Sequence, residues 1–196
     1  IEFLKLEDDT QKDILQKIVN TKSPLAVPVF QNLIVRENKE LRILSINGLG
    51  NVGKSGDLDL LLSVILDGSS QEKREAQKSF AKVVDHSKDR REVNKKLQAL
   101  YGDMSLENKL EFLPVLRLIG DNNSLGLVKK TVDSPKTNET AVKTIAAWPN
   151  TNALDTIIGL AETTKKPANK ESLIRGAVRI MNQNKTAKDY FNEAAS

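Results

Sequence analysis

Apolar residues recur at a helical spacing along almost the whole chain, and short polar, glycine or proline breaks interrupt them at close intervals. Spacing at i, i+3 and i+4 is that of one buried helix face, whereas the alternation typical of strands is almost absent. The pattern therefore predicts an all-α chain of about twelve short helices joined by links of a few residues. We expect these helices near residues 9–20, 23–34, 38–52, 56–67, 70–86, 89–101, 105–120, 123–133, 137–148, 151–164, 169–182 and 186–194.

Capping residues mark several of the predicted helix starts. Ser69 and Asp89 are each followed three residues later by a glutamate, a pairing that satisfies the free N–H groups of a first turn. Pro24 lies where its missing N–H costs nothing. Pro28 lies deeper in the same helix, so we expect a kink or a delayed start there.

The helices also pair into hairpins that repeat. The second helix of each predicted pair ends on a similar apolar cluster, and successive clusters begin 31, 36, 29 and 33 residues apart. A period of about 32 is typical of helical repeat arrays, in which each pair buries its apolar face against its neighbours. We expect Trp148, in one of these clusters, to pack in the core. The clusters begin at Leu49, Phe80, Leu116, Ile145 and Val178.

One junction between predicted repeats resembles a known family. Residues 48–53 (GLGNVG), followed by 56–62 (GDLDLLL), are similar to the HEAT-repeat junction, in which the inner helix ends on Leu-Gly-x-x-Gly and the next outer helix begins. The chain resembles the short bacterial form of the family in particular, over about five repeats. The resemblance implies a right-handed α-α superhelix, a HEAT/armadillo-like solenoid of about five helix hairpins plus terminal capping helices.

On this basis residues 1–196 are expected to form a single HEAT-like repeat domain. Helices at 8–20 and 186–194 would form its two ends. The five repeats are expected approximately at residues 23–53, 54–87, 88–121, 122–150 and 151–183.

A second stretch carries a more specific likeness. Residues 146–150 (AAWPN), with Ala153 and Leu154, and later 173–176 (LIRG) are similar to HEAT arrays beside keto-disaccharide hydrolase domains in large exported bacterial proteins. This resemblance implies that the chain is the non-catalytic segment of a larger bacterial protein with a neighbouring catalytic domain. It favours a periplasmic or exported location over a cytoplasmic one. The sequence itself leaves the compartment open.

Residues 48–55 (GLGNVGKS) also match the P-loop pattern of nucleotide-binding proteins. In a P-loop, Lys54 would reach the terminal phosphate and Ser55 would hold magnesium, behind a buried strand and before a helix. Residues 43–46 (ILSI) are apolar enough for that strand, but the apolar spacing around them favours a helix, and Gly56 interrupts the helix that should follow. We therefore interpret the glycines as a helix C-terminus and a tight turn between repeats, with nucleotide binding as an alternative.

Composition excludes several kinds of site. The chain has no cysteine and one histidine, His86, which rules out thiolate metal sites and multi-histidine centres. His86 lies at the end of a predicted helix and is interpreted as a surface or capping residue. No apolar run has the length needed to span a bilayer. We expect no catalytic residues, no cofactor and no metal in this chain, and no membrane span.

Basic side chains recur on the second helices. The positions two before and one after the first residue of each apolar cluster lie three residues apart, on one helix face. In four successive repeats one of these two positions is basic. If the second helices line a concave surface, these side chains form a basic ladder and are the candidate binding face. They are Lys78, Arg117, Lys143 and Arg179.

The predicted function is a non-catalytic repeat scaffold that mediates protein–protein or interdomain interaction. Its partner would be another protein or an adjacent domain of the same polypeptide. The main alternative is nucleic-acid binding through the basic face, including a base-repair glycosylase of HEAT fold, although a net charge of +4 is low for that class. A further alternative is that these basic residues only keep the surface solvated.

Overall fold

The computed structural model describes residues 3–183, and over that range the protein is all-α. Eleven α-helices and four short 3-10 segments account for its secondary structure there, so the first eleven predicted helices are confirmed. The predicted helix at 186–194 lies outside the described residues. The α-helices are α1 (Asp8–Thr21), α2 (Val27–Leu33), α3 (Lys39–Val52), α4 (Leu58–Asp67), α5 (Ser70–His86), α6 (Arg90–Asp103), α7 (Leu106–Ile119), α8 (Asn122–Val132), α9 (Asn138–Ala146), α10 (Leu154–Thr163) and α11 (Pro167–Gln183). The 3-10 segments are Phe3–Lys5, Pro24–Ala26, Ser55–Asp57 and Thr151–Ala153.

The predicted capping residues lie at the helix starts. Ser69 forms a capping box with Glu72, in which the Ser69 N–H donates to the Glu72 carboxylate over 2.9 Å. Asp89 accepts the backbone N–H of Glu92 over 2.9 Å. The delayed start at Pro28 is also confirmed, because the chain first forms the 3-10 segment and α2 begins only at Val27.

The chain divides into two compact units, residues 1–100 and 101–196. In the first, α2 packs on α3 and α4 packs on α5, and α3 also contacts both α1 and α5. In the second, α8 packs on α9 and α10 packs on α11, and α9 also contacts both α7 and α11. Each unit therefore contains a series of alternate helices that pack on one another. We call α3, α5, α7, α9 and α11 the second helices.

Small residues let successive second helices come close together. A Cβ added at Gly50 of α3 would lie 2.5 Å from the Ser79 hydroxyl oxygen of α5. A Cβ added at Gly176 of α11 would lie 2.2 Å from the Ala146 carbonyl oxygen at the end of α9. Side chains larger than hydrogen at these two positions would push the helices apart.

The glycines of the GLGNVG segment have different roles from the one expected. We interpreted all of them as a helix end and turn, but Gly48 and Gly50 lie inside α3 and only Gly53 follows its last residue. A Cβ added at Gly48 would lie 2.5 Å from the Phe30 ring of α2. Packing against neighbouring helices explains both internal glycines.

Polar bonds join residues about one repeat apart. At the start of the second helices, Arg42 of α3 donates to the Glu72 carboxylate of α5 over 2.5 Å, across 30 residues of sequence. In the other unit, Asn169 of α11 donates to Asn138 of α9 over 3.1 Å, across 31 residues. In both units, residues separated by about 30 positions therefore lie next to each other at the starts of neighbouring second helices.

Trp148 is fully buried, as predicted. Its indole N–H donates to the Gly120 carbonyl over 3.2 Å and to the Asn152 side chain over 3.1 Å. Gly120 ends α7 with a positive φ of 70°, which favours glycine, and its carbonyl also accepts from Asn150. The tryptophan thus ties the end of α7 to the segment that precedes α10.

The close approach of α9 and α11 predicts opposite effects for two glycine substitutions. Gly176→Ala is expected to lower the free energy of unfolding by about 2 kcal/mol, because the added methyl meets the backbone of α9. A Cβ added at Gly159 of α10 would meet nothing within 4 Å. Gly159→Ala should therefore raise the free energy of unfolding by about 0.5 kcal/mol, because alanine favours the helix over glycine. Urea unfolding followed by circular dichroism measures both. Equal effects of the two substitutions would contradict this packing.

The buried Glu72 carboxylate predicts a loss of stability in acid. Burial alone would raise the pKa of Glu72, but hydrogen bonds from Ser69 and Arg42 outweigh it and lower the pKa from 4.5 to about 2. Between those values the unfolded chain takes up a proton that the folded chain does not, so the free energy of unfolding should fall as the pH drops through this window.

Glu72→Gln should therefore flatten the pH dependence between pH 4.5 and 2. It should also lower the free energy of unfolding at pH 7 by about 2 kcal/mol, because a charged hydrogen-bond acceptor is lost. Urea unfolding at a series of pH values tests this, with Glu107→Gln, an exposed glutamate without an ion-pair partner in residues 3–183, as the control. An unchanged pH slope in Glu72→Gln would show that another group carries the effect.

Candidate interaction surfaces

The segment that matches the P-loop pattern lacks the geometry of a phosphate site. Residues 43–46 lie inside α3, so a helix precedes the turn where a P-loop needs a strand. The Gly53 N–H donates to the Leu49 carbonyl and the Lys54 N–H donates to the Asp57 carboxylate, each over 2.7 Å. These backbone donors are thus already bonded within the chain, and the second is bonded to an anionic side chain.

The same turn instead forms one wall of an open groove. Residues at the ends of α1, α3 and α5 and at the start of α6 surround a volume of about 520 Å³. Its lining combines apolar, basic and acidic side chains. The apolar members are Pro24, Val52 and Val93, the basic ones are Lys22, Lys54, Lys88 and His86, and the acidic ones are Asp89 and Glu92.

The three lysines of the groove are exposed, and none of them has an ion-pair partner among residues 3–183. The two acidic side chains are engaged locally. Asp89 accepts the N–H of Glu92, and Glu92 accepts the Ser55 hydroxyl over 3.1 Å. The lining therefore carries three lysines against two carboxylates, an excess of one positive charge, and none of the three lysines forms an ion pair with either carboxylate.

His86 lies at the rim of this groove. It is exposed at the end of α5, and its Nε2–H donates to the Gly53 carbonyl over 2.9 Å. The bond holds the end of α5 against the end of α3. The expected surface or capping role of the only histidine is confirmed.

Two members of the predicted basic ladder are paired with glutamates on their own helices. Lys78 of α5 is exposed and lies 2.9 Å from the Glu75 carboxylate. Lys143 of α9 is also exposed and lies 2.6 Å from the Glu139 carboxylate. This pairing lowers the pKa of Glu139 through a hydrogen bond from Lys143 and its positive charge. Each site therefore presents a pair of opposite charges to solvent.

The other two ladder residues have different surroundings. Arg117 of α7 is half-buried, and residues 3–183 supply no ion-pair partner for it. Arg179 of α11 is also half-buried and donates to the Trp148 carbonyl over 2.5 Å and to the Ala146 carbonyl over 3.3 Å. Arg179 thus caps the end of α9 and stabilises the stacking of α9 and α11. Lys78 belongs to the first unit and the other three belong to the second, and a shared binding face stays a prediction.

Sequence reasoning missed Arg175. It forms an ion pair with Glu171, four residues earlier on α11, and this pair repeats the Glu139 and Lys143 pair of α9 at a distance of 32 residues. The apolar clusters predict that Val178 begins the buried part of α11, but Val178 is 46% exposed and its neighbour Ala177 is buried. The repeated Glu-x-x-x-Lys/Arg spacing was the signal that would have corrected this prediction.

Residues 3–183 contain no cluster of three or more metal-ligating His, Cys, Asp or Glu side chains. None of the helices in this range combines the length and apolar character required to cross a membrane.

Comparison with protein-family models finds no match for this chain, and comparison with curated proteins finds no significant relative. The assignment as an all-helical protein therefore rests on its own structure.

The bonded turn at Gly53–Asp57 predicts that magnesium ATP does not bind there. Calorimetry should show no binding heat, and the melting temperature should not change with magnesium ATP. A ligand at a hundred times its Kd would stabilise the fold by about 2.7 kcal/mol, which a melting curve resolves. A magnesium-dependent stabilisation that Lys54→Ala abolishes would contradict our interpretation of the turn.

Proposed function

We propose that this chain is a non-catalytic repeat scaffold that binds another protein or an adjacent domain of its own polypeptide. In this proposal the helix pairs form a HEAT-like, right-handed solenoid of five repeats at the boundaries predicted from the sequence. The stacking of the second helices within each unit supports it, as do side-chain bonds such as Arg42 to Glu72, which span about one repeat. The likeness to arrays beside exported hydrolase domains makes an adjacent catalytic domain one such partner.

The groove around the Gly53 turn is the proposed contact site, and its occupant is an acidic segment of the partner. The observation that carries this proposal is the set of three exposed lysines, Lys22, Lys54 and Lys88, without carboxylate partners in residues 3–183. Aspartate or glutamate side chains of a partner would supply the missing charge. Apolar side chains of the same segment would contact Pro24, Val52 and Val93 on the lining.

Nucleic acid is the second candidate, since phosphates would also pair with these lysines. Two features favour protein. The cations Lys78 and Lys143 on the second helices are neutralised by their own glutamates, which leaves no continuous basic track through them. Phe, Trp and Tyr together form only 4% of the chain, and none of them lines the groove, which therefore lacks the large aromatic side chains on which bases usually stack.

A binding assay with charge-reversal variants tests the proposed site. The probes are a fluorescein-labelled peptide of alternating glutamate and leucine, the same peptide with glutamine for glutamate, and a labelled single-stranded oligonucleotide. The test variant combines Lys22→Glu, Lys54→Glu and Lys88→Glu. A matched control combines Lys17→Glu, Lys39→Glu and Lys95→Glu, which are exposed in the same unit but do not line the groove.

The acidic peptide is expected to bind the natural chain and the control, and the groove variant should bind it at least about tenfold more weakly. Equal loss in both variants would show that only net charge matters. Tighter binding of the oligonucleotide, with a steep loss between low and moderate salt, would favour nucleic acid instead. Lack of binding by every probe would contradict the proposed site.

A further inference from the structure

Helix α11 exposes an apolar face. Ile174 and Val178 lie one helical turn apart on the same side, and they are 49% and 46% exposed. The ion pair of Glu171 and Arg175 lies beside them on the same helix. Large side chains such as these are usually covered when they form a continuous stripe on a helix.

The equivalent positions in α9 are buried. The two helices align at an offset of 32 residues, because the Glu139 and Lys143 pair of α9 recurs in α11 at that distance. At this offset Ile174 corresponds to Val142, which is 2% exposed, and Val178 corresponds to Ala146, which is 8% exposed. The same face is therefore covered in one second helix and uncovered in the other.

The cover on α9 is the next second helix. Ala146 lies against Gly176 of α11, where an added Cβ would approach its carbonyl to 2.2 Å. The first unit has the same arrangement, since Gly50 of α3 is buried against Ser79 of α5. This face of a second helix is thus the surface on which the next second helix packs, as α11 does on α9. In α11, residues 3–183 provide no helix to follow it.

We propose that residues 186–194 of this chain cover the exposed face of α11. Their sequence, TAKDYFNEA, places apolar side chains at helical spacing and polar ones between them. The apolar members are Ala187, Tyr190, Phe191 and Ala194. Asp189 belongs to the opposite side of the same pattern.

The length of the chain permits this packing. The structure describes α11 as far as Gln183, and the amphipathic pattern begins at Thr186, with residues 184 and 185 between them. A link of similar length, residues 164–166, joins α10 to α11, and those two helices pack directly on each other. A short antiparallel return is therefore sufficient to bring Phe191 onto α11.

Disulfide trapping in the full chain tests this contact. The protein has no cysteine, so an introduced pair reports only on itself. The test pair is Val178→Cys with Phe191→Cys, and the control pair is Val178→Cys with Asp189→Cys. Mild oxidation at low protein concentration, followed by non-reducing gel electrophoresis and peptide mass spectrometry, shows which bonds form.

The test pair is expected to form an intramolecular disulfide at least several times faster than the control pair. Equal rates would show that the segment does not present Phe191 to α11. Disulfide-linked dimers would mean that a second copy covers the face, and absence of any bond would also overturn the proposal. If circular dichroism shows that the first pair disturbs the fold, Ile174→Cys with Ala194→Cys takes its place, because Ala194 follows Phe191 on the same side and an antiparallel return brings it to Ile174, against Ile174→Cys with Asn192→Cys on the opposite side. None of these substitutions lies in the lysine groove, so the result is independent of the peptide assay.

Discussion

The close contact between successive second helices is the constraint on which the rest of the structure depends. Gly50 against Ser79 and Gly176 against Ala146 bring backbones together at distances that exclude a larger side chain on the glycine. Packing at this distance requires each helix to present small residues to one neighbour, and apolar surface is then buried along the series. The ends of the second helices consequently lie next to one another, and the lysine groove lies at the ends of α3 and α5.

The polar bonds follow from that alignment. Because equivalent atoms of neighbouring helices lie side by side, single hydrogen bonds such as His86 to Gly53 and Arg179 to Trp148 join the ends of successive helices. They satisfy carbonyl groups that every helix end leaves free. Lys54 has no such role for its side chain. Its exposed ammonium group therefore lies at the groove with its charge available to a partner.

Several features of the fold that the sequence predicts correctly are set by residues within one helical turn. Capping residues such as Ser69 and the placement of Pro28 indicated helix starts that the structure confirms, because these effects act within one turn. The role of Gly48 was not predictable, since the Phe30 ring that requires it belongs to another helix. The groove was missed for the same reason. Its lining comes from residues 22–93, which meet only after the four helices α1, α3, α5 and α6 have packed.

The burial of Trp148 has a practical consequence for studies of unfolding. It is the only tryptophan, and it lies in the second unit with its indole bonded to Gly120. Its fluorescence emission reports the solvation of that unit alone, whereas the helical circular dichroism signal averages over both. Denaturation curves from the two signals will coincide only if the two units unfold together. A single natural chromophore thus distinguishes cooperative from independent unfolding without any added label.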